Sequence, residues 1–373
     1  MASSSRLVRD SSSAATHRLE DRVRSIQAGC RFDSQRIRPK SMSSSLESAV
    51  AQLAGTRCLV TGAAGFIGSQ MVERLLDAGA NVVALDNLST GFQHNLTPFL
   101  TGPHQDRLTF VKGDAADRAC VQQSVEGIDH IFHFAAMASV PRSMREPGLC
   151  HDWTTTSTVE LLAAGSAAGV KRFVLSSTSA VYGNSPYVAK REDDMPAPLS
   201  PYAAAKLSSE NYCQVFQREF PIETVVLRYF NVFGPRQDPK SEYSAVIPRF
   251  VSMILSGERP IIYGDGQQSR DFVFVRDVAN ANMLAATVPD AAGGIFNVGR
   301  GQSTTLLELL DTLRDLLEGD IQPIHEPPRA GDVRDSLADT NQIRSRLGFA
   351  PTVDISEGLQ QSIEYYRGLC SPA

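Results

Sequence analysis

Between residues 57 and 86 the chain writes a short apolar strand, three spaced glycines, a helix and a second strand, and few folds accept that order. Arg57-Cys58-Leu59-Val60-Thr61 is the first strand. Gly62-Ala63-Ala64-Gly65-Phe66-Ile67-Gly68 follows, then a helix from Ser69 to Ala78 that Gly79-Ala80 ends. Asn81-Val82-Val83-Ala84-Leu85-Asp86 is the second strand. A lone glycine pattern is weak evidence of function; between strand and helix of a βαβ unit it marks a dinucleotide site. Gly62 permits the tight turn, Gly65 lets backbone N–H groups approach a pyrophosphate at the helix N-terminus, and Gly68 lets helix and strand pack closely. The spacing is G-x-x-G-x-x-G, one residue longer than the common dehydrogenase form.

Asp86 closes the second strand. A carboxylate there accepts hydrogen bonds from an adenosine ribose and repels a 2′-phosphate, which favours NAD over NADP. The alternative is a solvated turn aspartate. The next strand, Leu108-Thr109-Phe110-Val111, leads to Lys112-Gly113-Asp114, where Asp114 can receive an adenine amino group. Ile128 to Ala136 reads as a further strand whose small last residues, Ala135 and Ala136, let a cofactor lie against the backbone. His133 within it reads as a packed strand residue, because no metal-like cluster accompanies it.

Lys171-Arg172-Phe173-Val174-Leu175-Ser176-Ser177-Thr178 is another strand, ending in hydroxyls. Strand ends in an open parallel sheet point into the ligand crevice. Further on, Ser200 is an N-cap and Pro201 a first helical residue, which sets Tyr202 and Lys206 one turn apart on the same helix face. A lysine ammonium beside a phenol favours the phenolate. A free phenol titrates near pH ~10 and each unit moved takes ~1.4 kcal/mol, so reaching neutrality takes about 4 kcal/mol. A cationic Lys and a cationic nicotinamide could supply that together. Tyr-x-x-x-Lys also occurs by chance on surface helices. The glycine loop, the acidic strand end, Thr178 and the Tyr202–Lys206 pair in working order favour the catalytic reading.

The whole chain is consistent with such an enzyme. Its 373 residues hold one large α/β unit or two smaller ones. A net charge of −5 argues against a nucleic-acid binder, whose footprint is usually basic. No apolar run approaches the roughly 20 residues of a membrane span. Cys30, Cys58, Cys120, Cys150, Cys213 and Cys370 are scattered, with no C-x-x-C, as in a cytoplasmic protein with reduced thiols. Residues 1–52, rich in Ser and Arg towards the start, read as a disordered arm. Asp10, Glu20, Asp21 and Asp33 are unwelcome in a transit peptide, and Met42 is an alternative first residue.

With these residues in place the chain resembles an extended short-chain dehydrogenase/reductase of the NAD-dependent nucleotide-sugar epimerase branch, over roughly residues 55 to 370. The resemblance implies a Rossmann-type doubly wound parallel sheet over 53–235, with later segments returning to it, and a smaller α/β region, mainly UDP-sugar-binding, over 236–373. It places NAD on Gly62, Gly65, Phe66, Ile67, Gly68, Asp86, Asn87, Thr90, Gly91, Asp114, Ala115, Ala135, Ala136, Ala138, Tyr202, Lys206 and Tyr229. It makes Thr178, Tyr202 and Lys206 the catalytic set. For the substrate it implies Ser139, Arg142, Thr178, Tyr202, Asn231, Gln237, Val246, Tyr263, Arg270, Arg329, Asp332 and Ser336. Arg270 and Arg329 would neutralise the diphosphate, and Asp332 would hold the uridine ribose.

The same resemblance narrows the reaction. Family dehydratases carry Asp-Glu after the catalytic Thr, and decarboxylases typically carry Glu at the position of Ala180; here Ser179-Ala180 follow Thr178. A residue four past Asp332 gates the sugar pocket in this family, bulky Tyr restricting it and a small residue admitting an N-acetyl group. Here it is Ser336. Ala138 replaces a Gly often found there, and Asp335 stands where His is common. The expectation is reversible C4 epimerisation of a UDP-hexose, UDP-N-acetylglucosamine/UDP-N-acetylgalactosamine first and UDP-glucose/UDP-galactose second, by a homodimer. A charged sugar such as UDP-glucuronate is the alternative, with Arg142 and Arg236 as the extra cations. A dinucleotide sensor without catalysis is a further one.

Overall fold

A computed structural model of the chain describes residues 44–239, 245–319, 321–328 and 334–370. Seven strands form one sheet, in the spatial order Ile295–Val298, Glu223–Tyr229, Arg172–Thr178, His130–His133, Arg57–Thr61, Asn81–Asp86, Leu108–Lys112. Every neighbouring pair is parallel. The chain begins in the middle, builds out to Leu108–Lys112, then crosses back and builds the other way. The reversal falls between Arg57–Thr61 and His130–His133, where a doubly wound sheet opens its ligand crevice. This is the expected Rossmann-type α/β fold.

Strict alternation along each strand covers both faces. Cys58 and Val60 join one core with Met71, Leu75 and Leu284. Leu59, between them, joins the opposite core with Val121, Leu161 and Phe216. Val174 faces the first core, and Phe173 and Leu175 the second. Strands apolar at every position fit only a sheet buried on both sides.

Three boundaries differ from expectation. The arm expected to run to residue 52 is corrected at its end, because Ser44–Leu53 is a helix. Leu46, Ala49 and Leu53, at helical spacing, are buried in the first core beside the helix Val275–Thr287. Residues 1–43 lie outside the described residues, and so do the readings placed on Asp10, Glu20, Asp21, Asp33 and Met42. The first helix starts at Phe66 rather than Ser69, since Gly65 is already its N-cap. The strand expected over Ile128 to Ala136 is regular only over His130–His133. Beyond it the backbone leaves the ladder at the crevice.

A third core belongs to the smaller region. Leu309, Leu310 and Leu313 pack there with Phe250, Val251, Leu359 and Ile363. Their helix, Leu306–Leu317, starts at a capping box between Thr305 and Glu308. Beside it a short sheet places Thr304–Thr305, Ser269–Arg270, Asp335–Ala338 and Ala189–Lys190 side by side. Val275–Thr287 and Ile295–Val298 return to the larger unit.

Candidate active site

The glycine loop has no room for side chains at two of its three positions. A Cβ on Gly62 would stand 2.8 Å from the Ala135 nitrogen, and one on Gly68 2.1 Å from the Gly62 carbonyl oxygen. Gly62 also sits at φ +64, where L residues are strained. Gly65 caps the helix Phe66–Asp77 without any side-chain hydrogen bond. The first helical N–H groups therefore stay available to an anion, with the helix dipole behind them.

Asp86 is not a solvated turn residue. It is buried, and its carboxylate accepts from Ala64 N at 2.9 Å and Leu88 N at 2.7 Å, latching the glycine loop to the second strand. Burial pushes its pKa up, and those two bonds oppose the rise. Asn87 Nδ2 donates to Asp114 Oδ2 at 3.2 Å, which brings the two strand ends together. Gly91 packs on the same latch: a Cβ there would lie 3.0 Å from Asp86 Oδ2. Around it Phe66, Ile67, Ala135 and Ala136 are half-buried, Ala115 is buried, and Thr90 and Ala138 are exposed. Tyr229, expected beside the cofactor, is buried. That ring is in the first core and its hydroxyl is committed to Asn282.

The residues expected to be catalytic converge from one strand and one helix. Ser200 caps the helix Pro201–Glu219, its hydroxyl accepting from Ala203 N at 3.2 Å, with Pro201 in the first turn as expected. Thr178 accepts from Ala180 N at 3.1 Å, and its hydroxyl lies near enough to the Tyr202 phenol to oppose the burial-driven rise of that group's pKa. Lys206 is fully buried, and its Nζ donates to the Ser176 carbonyl at 2.6 Å. Met137, Cys150, Trp153 and Ala205 pack around Tyr202. His133 is the packed strand residue expected, bonded to Thr61 at 2.7 Å and Thr158 at 3.1 Å; burial holds its pKa far below the usual range.

The expected lowering of Tyr202 by Lys206 does not occur in the protein alone. Burial pushes the phenol up to about 12, against the opposing bond from Thr178. Lys206 acts on Ser176 instead. Burial pulls its ammonium down to about 8, opposed by Cys150, Glu210 and Cys213. Desolvation outweighs the one-turn helical neighbour in both cases.

The expected substrate residues divide. Ser139 caps the short helix Val140–Arg145, accepting from Arg142 N at 3.2 Å. Arg142 pairs with Glu146 at 3.1 Å, and its guanidinium lies 4.9 Å over the Trp153 ring. Arg236 is likewise paired, with Glu73. Asn231 lies on a short strand parallel to Phe272–Phe274, directly after Arg270 and Asp271. Gln237 turns its amide back to the Val232 carbonyl at 3.3 Å. Val246 opens the helix Val246–Leu255, and Arg249 stands 5.7 Å over the Tyr263 ring. Arg270 and Ser336 share one rung of two parallel strands. Arg329 and Asp332 lie outside the described residues. A residue the sequence reading missed is Glu210, buried one turn beyond Lys206; its i, i+4 spacing from Lys206 was the available signal.

The family model described as NAD dependent epimerase/dehydratase family matches residues 58–299. This chain belongs to that family. NAD is its cofactor, and the glycine cradle and the Asp86 latch fit it. A UDP-glucose 4-epimerase of Mycolicibacterium smegmatis is 39% identical over 313 residues, 83% of this chain and 98% of the relative. The family likeness extends to solved structures. UDP-N-acetylglucosamine 4-epimerase from Methanobrevibacter ruminantium M1, in complex with UDP-N-acetylmuramic acid, matches with a TM-score of 0.80 at 40% identity, over 85% of this chain and 99% of that one. UDP-glucose 4-epimerase from Thermotoga maritima, with UDP-glucose, matches with a TM-score of 0.79 at 38% identity, over 85% and 100%.

Proposed function

We propose that this UDP-sugar 4-epimerase interconverts UDP-N-acetylglucosamine and UDP-N-acetylgalactosamine, with UDP-glucose and UDP-galactose as a second pair. The observation that carries the sugar assignment is the rung shared by Arg270 and Ser336. Ser336 is a small residue beside the cation proposed for the diphosphate, and the family resemblance makes a small residue there the one that admits an N-acetyl group. Relatives of both kinds, acting on UDP-N-acetylglucosamine and on UDP-glucose, support the reaction class.

The chain's own residues carry the proton. Tyr202 takes it from the C4 hydroxyl as general base, and Thr178, beside that phenol, orients the exchange. Lys206 stands as the cation of the site. When bound, NAD supplies a reversible two-electron oxidant for C4 and, in its oxidised form, a positive charge that favours the Tyr202 phenolate. The 4-keto sugar turns about its diphosphate link and is reduced on its other face. Tyr202 returns the proton, so C4 is inverted with no net redox change.

The absence of an acid at Ser179 and Ala180 speaks against dehydration and decarboxylation. The pairing of Arg142 with Glu146 and of Arg236 with Glu73 lends less support to UDP-glucuronate than two unpaired cations would. Tyr212 and Val215 are exposed on the outer face of the Tyr202 helix while Phe216 is in the core, which supports pairing of two copies through that helix. The test is incubation of the purified protein with UDP-N-acetylglucosamine and chromatography of the sugars. UDP-N-acetylgalactosamine should form, and Tyr202→Phe should abolish it while NAD stays bound. An active Tyr202→Phe, or a product short of water or carbon dioxide, would reject the mechanism.

A further inference from the structure

Behind the catalytic pair a single carboxylate holds the strand and the helix together. Glu210 lies two turns beyond Tyr202 and one beyond Lys206, on the same buried face of the helix Pro201–Glu219. Its side chain is buried, as is that of its ion-pair partner Arg228. Arg228 Nη2 donates to Oε2 at 2.7 Å and Nε to Oε1 at 3.1 Å, a bidentate fork. The Ser177 hydroxyl donates to Oε1 as well. Ser177 and Arg228 are themselves partners, facing each other across the parallel strands Arg172–Thr178 and Glu223–Tyr229. One rung of the sheet thus offers two donors to one helix carboxylate.

The neighbouring rung is Thr178 with Tyr229. Thr178 is the residue that meets the Tyr202 phenol. The residue on the other side, Ser176, gives its carbonyl to Lys206. Arg228 is anchored further: its guanidinium lies 4.8 Å over the Tyr182 ring and donates to the Tyr182 hydroxyl at 3.0 Å. That hydroxyl donates to Asn297 Oδ1 at 2.6 Å on the edge strand Ile295–Val298. The grip of Glu210 therefore ties the helix to three strands beside the reacting groups.

We propose that Glu210 is a positioning residue for the reaction, acting through Ser177 and Arg228 to fix the helix in the register that sets Tyr202 against Thr178. Its charge also acts on the buried ammonium of Lys206, which it helps to keep protonated. Glu210 touches no substrate in this proposal, which rests on the epimerase reading above. A sub-ångström slip between the Tyr202 helix and the Thr178 strand then costs rate and leaves binding intact.

The test compares kcat, KM for UDP-N-acetylglucosamine, bound NAD and thermal midpoint in three variants. Ser177→Ala breaks the strand link and leaves the Arg228–Glu210 pair in place. It should lower kcat by about 10-fold with KM within about two-fold and bound NAD unchanged. Ser177→Thr keeps a hydroxyl and should recover most of the rate. Glu210→Gln keeps the shape, removes the charge and should lose about 100-fold in kcat with the same KM. If Glu210→Gln does not fold, the two Ser177 variants decide the matter. Wild-type kcat in Ser177→Ala, or kcat, KM, NAD content and midpoint falling together, would overturn the positioning role alone. A wild-type protein inert to every UDP-hexose would overturn the functional reading and this role with it.

Discussion

The Lys206 ammonium donates to the backbone carbonyl of Ser176 at 2.6 Å, two residues before Thr178 on the same strand. The lysine is thus tied to the strand that carries Thr178, the residue beside Tyr202. Burial lowers its pKa to about 8. It is cationic below that value and neutral above it. Turnover should fall as pH rises through about 8, and a kcat profile from pH 6 to 10 would read the limb. Stability should move the other way. Between the folded pKa and the higher unfolded one, the unfolded chain binds more protons, so the Lys206 contribution to stability rises with pH. Lys206→Met should remove the alkaline limb together with most of the activity.

Ser336 faces Arg270 across one rung of the short sheet. Ser336→Tyr should suppress turnover of UDP-N-acetylglucosamine by at least about 10-fold, equivalent to ~1.4 kcal/mol, and spare UDP-glucose. Parallel kcat/KM measurements on the two sugars check this. Equal loss on both would remove Ser336 from the specificity role.

The Asp86 carboxylate joins Ala64 and Leu88 through their backbone N–H groups. Asp86→Asn keeps one acceptor oxygen and deletes the charge that repels a 2′-phosphate. NAD affinity should weaken and NADP affinity improve, shifting their ratio by about 10-fold or more. Titration of the nucleotide-free variant with each cofactor measures the shift. Loss of one latch bond should also cost about 1–3 kcal/mol of stability.

Leu53 is fully buried at the end of a helix that precedes the first strand. Leu53→Ala should cost about 2–5 kcal/mol in urea unfolding, as for a core leucine. A cost under about 0.5 kcal/mol would place the helix outside the cooperative unit.

What could be read from the sequence was local. The glycine loop, Asp86, the strand ending at Thr178 and the Ser200–Pro201 cap each depend on neighbours a few residues away, and the folded chain keeps all of them. Glu210 gripping Ser177 and Arg228 joins residues 33 and 18 positions away, and no spacing rule reports that. The burial of Tyr202, which raises its pKa in the protein alone, was not legible because helix spacing counts a neighbouring cation and is silent on desolvation. The Ser44–Leu53 helix was hidden by the polar segment before it; Leu46, Ala49 and Leu53 form a short apolar stripe that is easily overlooked. The Arg142–Glu146 pair was legible too, since Glu146 stands four residues on, within reach of a helix-surface pair.

The measurement that bears most directly on the chemistry uses UDP-N-acetylglucosamine deuterated at C4. Oxidation by NAD and return to the opposite face should leave the deuterium on C4 of UDP-N-acetylgalactosamine, with none gained from heavy water in the reverse experiment. Loss of the label to solvent, or solvent deuterium at C4 or C5 of the product, would contradict reversible oxidation at C4 by Tyr202, Thr178 and Lys206.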